Sequence, residues 1–241
     1  MTKVSKGILL DTFMQHFSVE LALSSVQKQE IYRIRYRVYC KEFKFESVEQ
    51  FPDRQESDEY DSVARHCLIR HRRTGQPAGC VRLVPATEML LPVEKYCASV
   101  LDRERVEPWL EDRNRLCELS RLAVDSAFRQ RDGESLSRVG DVLPIKFTPQ
   151  EIRSCSLISV ALILTGVALT EKEQRPNIFA VMEPFMPRMM DRVGIRFQRV
   201  GKEIDYHGIR APYCITTQLM LDGMLPEYRD LYQWIRESLD A

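Results

Sequence analysis

The chain has 241 residues, of which 44% are hydrophobic and 29% are charged, and its 35 Lys and Arg residues balance its 35 Asp and Glu residues. This composition is typical of a globular protein that is long enough to bury a sizeable core. The formal net charge of zero gives no support for general nucleic-acid binding, because proteins that bind phosphate backbones carry an excess of basic residues.

The seven cysteines are odd in number and include no Cys-x-x-Cys pair. Most lie in apolar segments, which favours small buried side chains in a reducing, cytoplasmic compartment. The four histidines have no metal-ligand spacing, so no metal site is predicted. No signal peptide opens the chain, and the longest apolar segment, residues 155–170, is shorter than the roughly 18–20 residues of a membrane span. It is better interpreted as a buried helix.

The first elements are a strand and a helix. Residues 17–23 alternate as a strand does, and Ser24 or Ser25 can cap a helix from about residue 27 to residue 41. On that helix Arg35 and Tyr39 are one turn apart and share a face. Residues 45–60 are acidic and polar without a period, which indicates a loop.

A hairpin follows, with strands at 64–71 and 78–85 joined by a turn that contains Gly75. A short helix near 93–101 and a strong strand at 116–124 come next, and residues 125–147 are predicted to be a long loop.

The second half begins with a helix signal. Thr148 can cap, Pro149 suits the first helical position and Glu151 completes a capping box, so a helix is predicted from there to about residue 171. Gly194 is expected to end a later helix. The remaining predicted elements are strands at 177–182, 197–200, 202–206 and 213–221 and helices at 184–193 and 226–239. Helices interrupt mostly sequential strands, which favours an α/β or α+β class with a mixed sheet. No repeat or linker is evident, so residues 1–241 are predicted to form one domain.

Charged residues lie inside the apolar strand segments. Arg82 interrupts residues 79–85, and both Glu118 and Arg121 interrupt residues 117–124. Burying a charge is costly unless it is paired or used. Several such residues of both signs therefore predict one shared polar site.

These charged residues, together with residues of the first helix and of the loop after it, form a set that resembles the one carried by a known family. The acyl-homoserine-lactone synthases, which are GNAT-fold acyltransferases, carry a similar set, and here it falls on Arg35, Tyr39, Phe45, Glu56, Asp58, Asp61, Arg82, Glu118 and Arg121. Tyr39 stands in place of the usual Phe, and Phe45 in place of the usual Trp. Residues 185–197 and 201–213 are similar to the acyltransferases associated with PEP-CTERM/exosortase systems, which are regarded as N-acyl amino acid synthases.

The resemblance implies a GNAT-like fold with a mixed, splayed central sheet flanked by helices. It implies transfer of a fatty acyl group from a thioester to the amine of an amino acid or similar acceptor. The donor would be an acyl-phosphopantetheine thioester, carried by acyl carrier protein or by coenzyme A, whose arm enters the gap between two central strands. A backbone N–H there would face the thioester carbonyl, and no cofactor would be bound permanently.

Glu118 is the candidate general base. An amine must lose a proton to attack a thioester, and an acidic residue in an apolar strand should face a cavity. The alternative is that Glu118 only pairs with Arg121. Their odd separation places them on opposite faces of a strand unless a bulge intervenes.

The other candidates are interpreted as parts of the acceptor pocket or as its scaffold. Arg82 is expected to pair with Asp58 or Asp61, and Arg35 could hold the same acids. Arg121 could orient the loop acids or the donor arm.

The alternative is a network that only orders the loop. Tyr39 and Phe45 are either core residues or, as in the related families, residues that close the entrance.

Three further features bear on the donor and the acyl chain. Residues 130–135 resemble the GNAT pyrophosphate loop only weakly and are interpreted as an ordinary turn, which favours acyl carrier protein over coenzyme A. Residues 152–169 and 178–181 could wall an acyl cavity, or could be core. The candidate docking residues for an acidic carrier protein are Arg72, Arg73, Arg129, Arg131, Arg188 and Arg192.

Two other functions stay open from the sequence. One is a lactone-forming signal synthase that uses S-adenosylmethionine. The other is a non-catalytic module that binds an acyl ligand or carrier protein on the same fold.

Overall fold

The computed structural model describes residues 3–129 and 147–240. Within these residues the strands are β1 (Phe17–Leu21), β2 (Arg65–His71), β3 (Pro77–Pro85), β4 (Leu116–Val124), β5 (Asn177–Met182), β6 (Gln198–Arg199), β7 (Ile204–Asp205) and β8 (Ile209–Thr216). The α-helices are α1 (Lys3–His16), α2 (Ser25–Arg35), α3 (Pro92–Tyr96), α4 (Arg103–Leu110), α5 (Pro149–Cys155), α6 (Ile158–Lys172), α7 (Phe185–Asp191), α8 (Thr217–Gly223) and α9 (Pro226–Asp240).

The strands form one mixed sheet in the order β1-β2-β3-β4-β5-β8-β6, with β7 paired to β8. Neighbours are antiparallel except β4 and β5, which are parallel and pair over three positions, from Leu116–Asn177 to Glu118–Phe179. Beyond Glu118, β4 stays paired with β3, and β5 stays paired with β8. The two central strands therefore separate at Glu118, which confirms the predicted mixed, splayed sheet flanked by helices.

One face of the sheet is covered by α6, which packs on β2, β3 and β4, and by α9, which packs on α6 and β1; α1 contacts β1, α5 and α9. The approach of α6 is close at Gly79 of β3, where an added Cβ would lie 2.9 Å from Leu162 Cδ1. Most apolar side chains of α6 are buried in this core. This confirms the core interpretation of residues 158–169.

The opposite face is covered by α2. Ile31 and Ile34 of α2, with Val38 just beyond it, pack against Leu68 and Cys80. The neighbouring side chains of the same strands, such as Ile69 and Val81, belong to the core under α6. This alternation places Arg82, two residues after Cys80, on the α2 side of the sheet.

The predicted caps are present. Ser24 accepts a hydrogen bond from Gln27 N–H at the start of α2, and Thr148 does the same for Glu151 N–H at the start of α5. Such bonds satisfy backbone donors that a helix leaves unpaired in its first turn.

Several predicted boundaries are wrong. The strand predicted at 213–221 ends at Thr216, because the Thr216 side chain caps Leu219 N–H and starts α8. The helix predicted from Thr148 to residue 171 is two helices, α5 and α6, bent by 51°. The helices α1 and α4 have no counterpart among the predicted elements.

No single described helix is long and apolar enough to cross a membrane; α5 and α6 reach that length and composition only when they are counted together as a bent pair. All seven cysteines are buried free thiols, as the apolar context predicts. Burial raises the pKa of six of them to about 11 or 12 and that of Cys117 further.

Candidate active site

A cleft of about 620 Å³, including the space open to solvent, lies where β4 and β5 separate. Of the eight predicted site residues, six line it: Tyr39, Phe45, Asp58, Arg82, Glu118 and Arg121. Arg35 and Asp61 lie behind the lining and contact residues that form it.

Glu118 is the last residue of β4 that pairs with β5. Its side chain is 2% exposed, and Oε2 accepts a hydrogen bond from Val93 N–H at 2.7 Å, at the start of α3. Burial raises the pKa of this carboxyl to about 8, although the Val93 N–H and the charges of Arg82 and Arg121 oppose the rise. Glu118 therefore exchanges its proton near neutral pH rather than in the acidic range of an ordinary carboxyl.

Arg121 reaches the same cleft through a bulge in β4. The pairing with β3 steps from Arg82–Ser120 to Cys80–Ala123, so two residues of β4 oppose one of β3. Arg121 takes the left-handed backbone conformation there, with φ of 50°. The bulge turns Arg121 to the side of Glu118, which an unbroken strand would not do.

The pairing of Arg121 with Glu118 alone, one alternative from the sequence, is not what the structure has. Arg121 Nη2 lies 3.1 Å from Asp58 Oδ2, and Nε donates to Glu56 Oε1 at 3.2 Å. Burial acts against the charged guanidinium, but the carboxylates outweigh it and raise the pKa of Arg121.

Arg82 contacts both predicted acids. Its Nη1 donates to Asp58 Oδ1 at 2.5 Å and to Asp61 Oδ1 at 2.9 Å, and its Nε donates to Ser120 Oγ at 3.1 Å. Ser120 is the β4 residue directly opposite Arg82 of β3. Arg82 therefore connects both strands to the acidic residues of the loop.

Arg35 holds the loop from the helix side. Its side chain is fully buried, Nη1 donates to Asp61 Oδ1 at 2.7 Å and Nε donates to Glu56. Burial acts to raise the pKa of Asp61, but Arg35 and Arg82 outweigh it and lower that pKa well below its ordinary value. Three guanidinium groups and three carboxylates thus form one network in which the formal charges cancel: Arg35, Arg82, Arg121, Glu56, Asp58 and Asp61.

The two aromatic candidates form part of the cleft wall. Beyond α2 the chain continues as a π-helix over Tyr36–Glu42, a form often found at functional sites. Tyr39 donates its hydroxyl to Leu122 O at 2.8 Å, and the guanidinium of Arg121 lies 5.6 Å from its ring centre. Phe45 stacks at 6.5 Å on Tyr39.

Several lining residues were not predicted from the sequence. They are Glu46, Tyr60, Pro92, Tyr96, Ser120, Tyr206, His207 and Arg210, whereas Val181 belongs to the segment 178–181 that could wall an acyl cavity. Tyr206, His207 and Arg210 come from the hairpin of β7 and β8. The sequence signal that could have found them was the similarity of residues 201–213 to the PEP-CTERM/exosortase-associated acyltransferases. That similarity assigned no role to any single side chain. Glu56 belonged to the motif without an assigned partner, and the structure places it between Arg35 and Arg121.

The predicted turn at residues 130–135, including Arg131, lies outside the described residues. Of the other candidate docking residues, Arg188 and Arg192 are exposed on and after α7. Arg73 and Arg129 are paired with Glu151 and Glu42, and Arg72 donates to Phe17 O.

Residues 34–138 match the family model described as an acetyltransferase (GNAT) domain. The matched region is less than half of the chain and contains all eight predicted site residues. This region is therefore similar to GNAT acetyltransferase domains, which supports the assignment of the protein as an acyltransferase.

Solved structures of similar fold cover most of the chain. The AHL synthase LasI is 19% identical, with a TM-score of 0.57 over 87% of this chain and 97% of LasI. FeeM, an N-acyl amino acid synthase from uncultured soil microbes, is 11% identical, with a TM-score of 0.57 over 87% of this chain and 94% of FeeM. The CoA-dependent acyl-homoserine lactone synthase BjaI, with SAM and isopentyl-CoA, is 17% identical, with a TM-score of 0.59 over 89% of each chain. These likenesses show the fold, and a search of curated protein sequences finds no significant match.

Proposed function

We propose that this acyltransferase is an N-acyl amino acid synthase, which moves a fatty acyl group from acyl carrier protein to the amine of an amino acid or similar acceptor. The observation that carries the proposal is Glu118, a buried carboxyl with a pKa of about 8 that lines the cleft where β4 and β5 separate.

Glu118 serves as the proton acceptor. The pKa of an α-ammonium group lies above neutrality, as does that of Glu118, so an ionised Glu118 can take up its proton. A base placed in this way contributes about 10²–10⁴ in rate. The freed amine nitrogen attacks the thioester carbon and the C–S bond breaks. The departing sulfur takes up a proton, and the products are an amide and a thiol.

The gap between the strands suits the thioester. Since the pairing of β4 with β5 ends at Glu118–Phe179, an extended phosphopantetheine arm can lie between them. A backbone N–H facing the gap would stabilise the oxyanion of the tetrahedral intermediate, and loss of such a donor costs roughly 10²–10³ in rate.

In this proposal the charge network positions the acceptor pocket. Arg82 and Arg121 hold Asp58 at the cleft wall, and Arg35 holds Asp61 behind it. Tyr39 and Phe45 close one side of the entrance.

The carrier protein as donor is supported by the exposed Arg188 and Arg192, because acyl carrier proteins are acidic. Residues 185–197 and 201–213 support a link to PEP-CTERM/exosortase systems, and the thiol-rich composition supports a cytoplasmic location.

The test uses the purified full chain with acyl carrier protein and coenzyme A thioesters of several acyl lengths, each with the twenty amino acids and with S-adenosylmethionine. Mass spectrometry is expected to find an N-acyl amino acid, formed faster from the carrier-protein donor. Glu118→Gln is expected to lower the rate about 10²–10⁴-fold. Glu237→Gln, the same change on the exposed side of α9, is expected to leave it unchanged.

Other outcomes reject parts of the proposal. Methylthioadenosine with an acyl lactone identifies a signal synthase, and binding of acyl donors without any product identifies a non-catalytic module. Equal rates for Glu118→Gln and the unchanged protein reject Glu118 as the base.

A further inference from the structure

Arg210 differs from the other two arginines that line the cleft. Arg82 and Arg121 each contact loop carboxylates at 3.2 Å or less. Arg210 Nη2 lies 3.8 Å from Glu183 Oε1, beyond hydrogen-bond distance, and its buried Nε has no hydrogen-bond partner in residues 3–129 or 147–240.

A guanidinium group with an unused buried donor favours the binding of an anion. Phe45 lies under it, with the guanidinium carbon 5.1 Å from the ring centre, but a ring face does not replace an acceptor in the plane of the N–H groups. A buried donor without an acceptor destabilises the folded state, because it has lost its hydrogen bonds to water. The planar fork of an arginine fits a carboxylate, which accepts two parallel hydrogen bonds.

The hairpin of β7 and β8 fixes the direction of this side chain. His207 and Gly208 at its tip have φ values of 55° and 89°, so the turn carries a left-handed non-glycine residue, which a surrounding structure must hold. His207 also lines the cleft, but its Nε2 lies 3.3 Å from Glu46 Oε1. His207 therefore lies within hydrogen-bond distance of its carboxylate, whereas Arg210 does not reach Glu183 at that distance.

We propose that Arg210 binds the carboxylate of the acceptor, so that the acceptor must be an amino acid with a free carboxyl group. This inference rests on the proposed N-acyltransferase function and adds a specificity residue to it. The zwitterion fits the cleft, because its ammonium group can meet the side lined by Glu118 and Asp58 while its carboxylate fills the acceptor position that Arg210 Nε lacks. A neutral amide would offer Arg210 only one uncharged carbonyl acceptor, and a simple amine would offer none.

The test compares acids with amides. Acylation is measured for each of the twenty amino acids and for the amides of those that react. Four full-length proteins are compared: the unchanged protein, Arg210→Gln, Arg210→Lys and the exposed control Arg229→Gln. The unchanged protein is expected to favour acid over amide by about 10- to 100-fold in kcat/KM, the size of one lost charged hydrogen bond. Arg210→Gln is expected to lose this preference through a raised KM for the acid, Arg210→Lys to keep part of it, and Arg229→Gln to keep it all.

The same charge chemistry fits a phosphate of the donor arm, and the kinetics separate the two. A raised KM for the acyl donor in Arg210→Gln, with the preference for acid over amide intact, overturns the proposal in favour of the donor. Equal use of acids and amides by the unchanged protein, or equal losses for both in Arg210→Gln, also overturns it.

Binding separates this inference from the proposed function. If no amine is acylated, the proposed function fails, and thermal unfolding with amino acids or their amides still tests the carboxylate site. Amino acids that raise the unfolding temperature of the unchanged protein but not that of Arg210→Gln, with no such effect from the amides, support the site. The absence of this difference overturns it. Arg210→Gln alone is expected to unfold at no lower a temperature, because it removes a buried donor that has no acceptor.

Discussion

Two buried carboxyl groups on the same side of the sheet, Asp61 and Glu118, differ in what surrounds them. Asp61 accepts hydrogen bonds from Arg35, Arg82 and the Asp58 N–H, and these partners outweigh burial and keep it charged. Glu118 accepts one from the Val93 N–H, and burial raises its pKa to about 8. The comparison teaches that the partners, rather than the burial, decide which acid holds a network and which can exchange a proton.

The largest expected effect is on the charged network. Arg35→Met leaves Asp61 and Glu56 with an uncompensated buried charge, so we expect the free energy of unfolding to fall by about 3–5 kcal/mol. Urea denaturation measures this change. Arg196→Met, which removes an exposed arginine paired with Asp191, is expected to change the stability by less than about 1 kcal/mol. Similar values for the two variants would mean that the network contributes no more than a surface pair.

The next effect concerns Glu118 and pH. Its folded pKa of about 8 lies above the ordinary 4.5, so the folded state binds the proton more tightly. Its stability contribution is therefore fully present below pH 4.5 and is lost as the pH rises through 8. The free energy of unfolding of the unchanged protein, relative to Glu118→Gln, should fall over this range by about 1.4 kcal/mol for each unit by which the pKa is raised.

Urea denaturation of both proteins at pH values from 5 to 9 measures that difference. Glu118→Gln serves as the matched reference because it retains an oxygen for the Val93 N–H, and the other titrating groups cancel. A difference that does not change with pH would place the pKa of Glu118 near its ordinary value and remove the basis for its role as a base.

The smallest effect tests the cleft wall. Tyr39→Phe removes the hydrogen bond to Leu122 O and keeps the ring between Arg121 and Phe45. We expect the free energy of unfolding to fall by about 0.5–1.5 kcal/mol while the acylation rate stays within a few-fold. A loss of rate as large as that of Glu118→Gln would instead give the Tyr39 hydroxyl a direct part in the reaction.

Local signals in the sequence predicted much of the sheet. The turn signal of the β2–β3 hairpin, the apolar run of β4 and the capping box at Thr148 all depend on neighbours in sequence, and the structure has each of them. The end of β8 was predicted wrongly because residues 213–221 are apolar on both sides of Thr216, Thr217 and Gln218, and a single threonine cap decides where the helix begins.

The site was predicted in part, for a different reason. Charges in apolar strands indicated that Arg82, Glu118 and Arg121 share a site, but the partner of each depends on the bulge at Arg121 and on the loop acids. Arg210 could not be found in this way. It follows an exposed residue in a short hairpin, and only the order of the strands brings that hairpin to the cleft.

The buried cysteines have a practical consequence. Because burial raises the pKa of each thiol, hardly any thiolate is present in the folded protein for an alkylating reagent to attack. A cysteine introduced at exposed Ile209, next to Arg210, would accept a fluorescent or cross-linking label ahead of the native seven. Slow labelling of those seven would in turn report the rate at which the folded core opens.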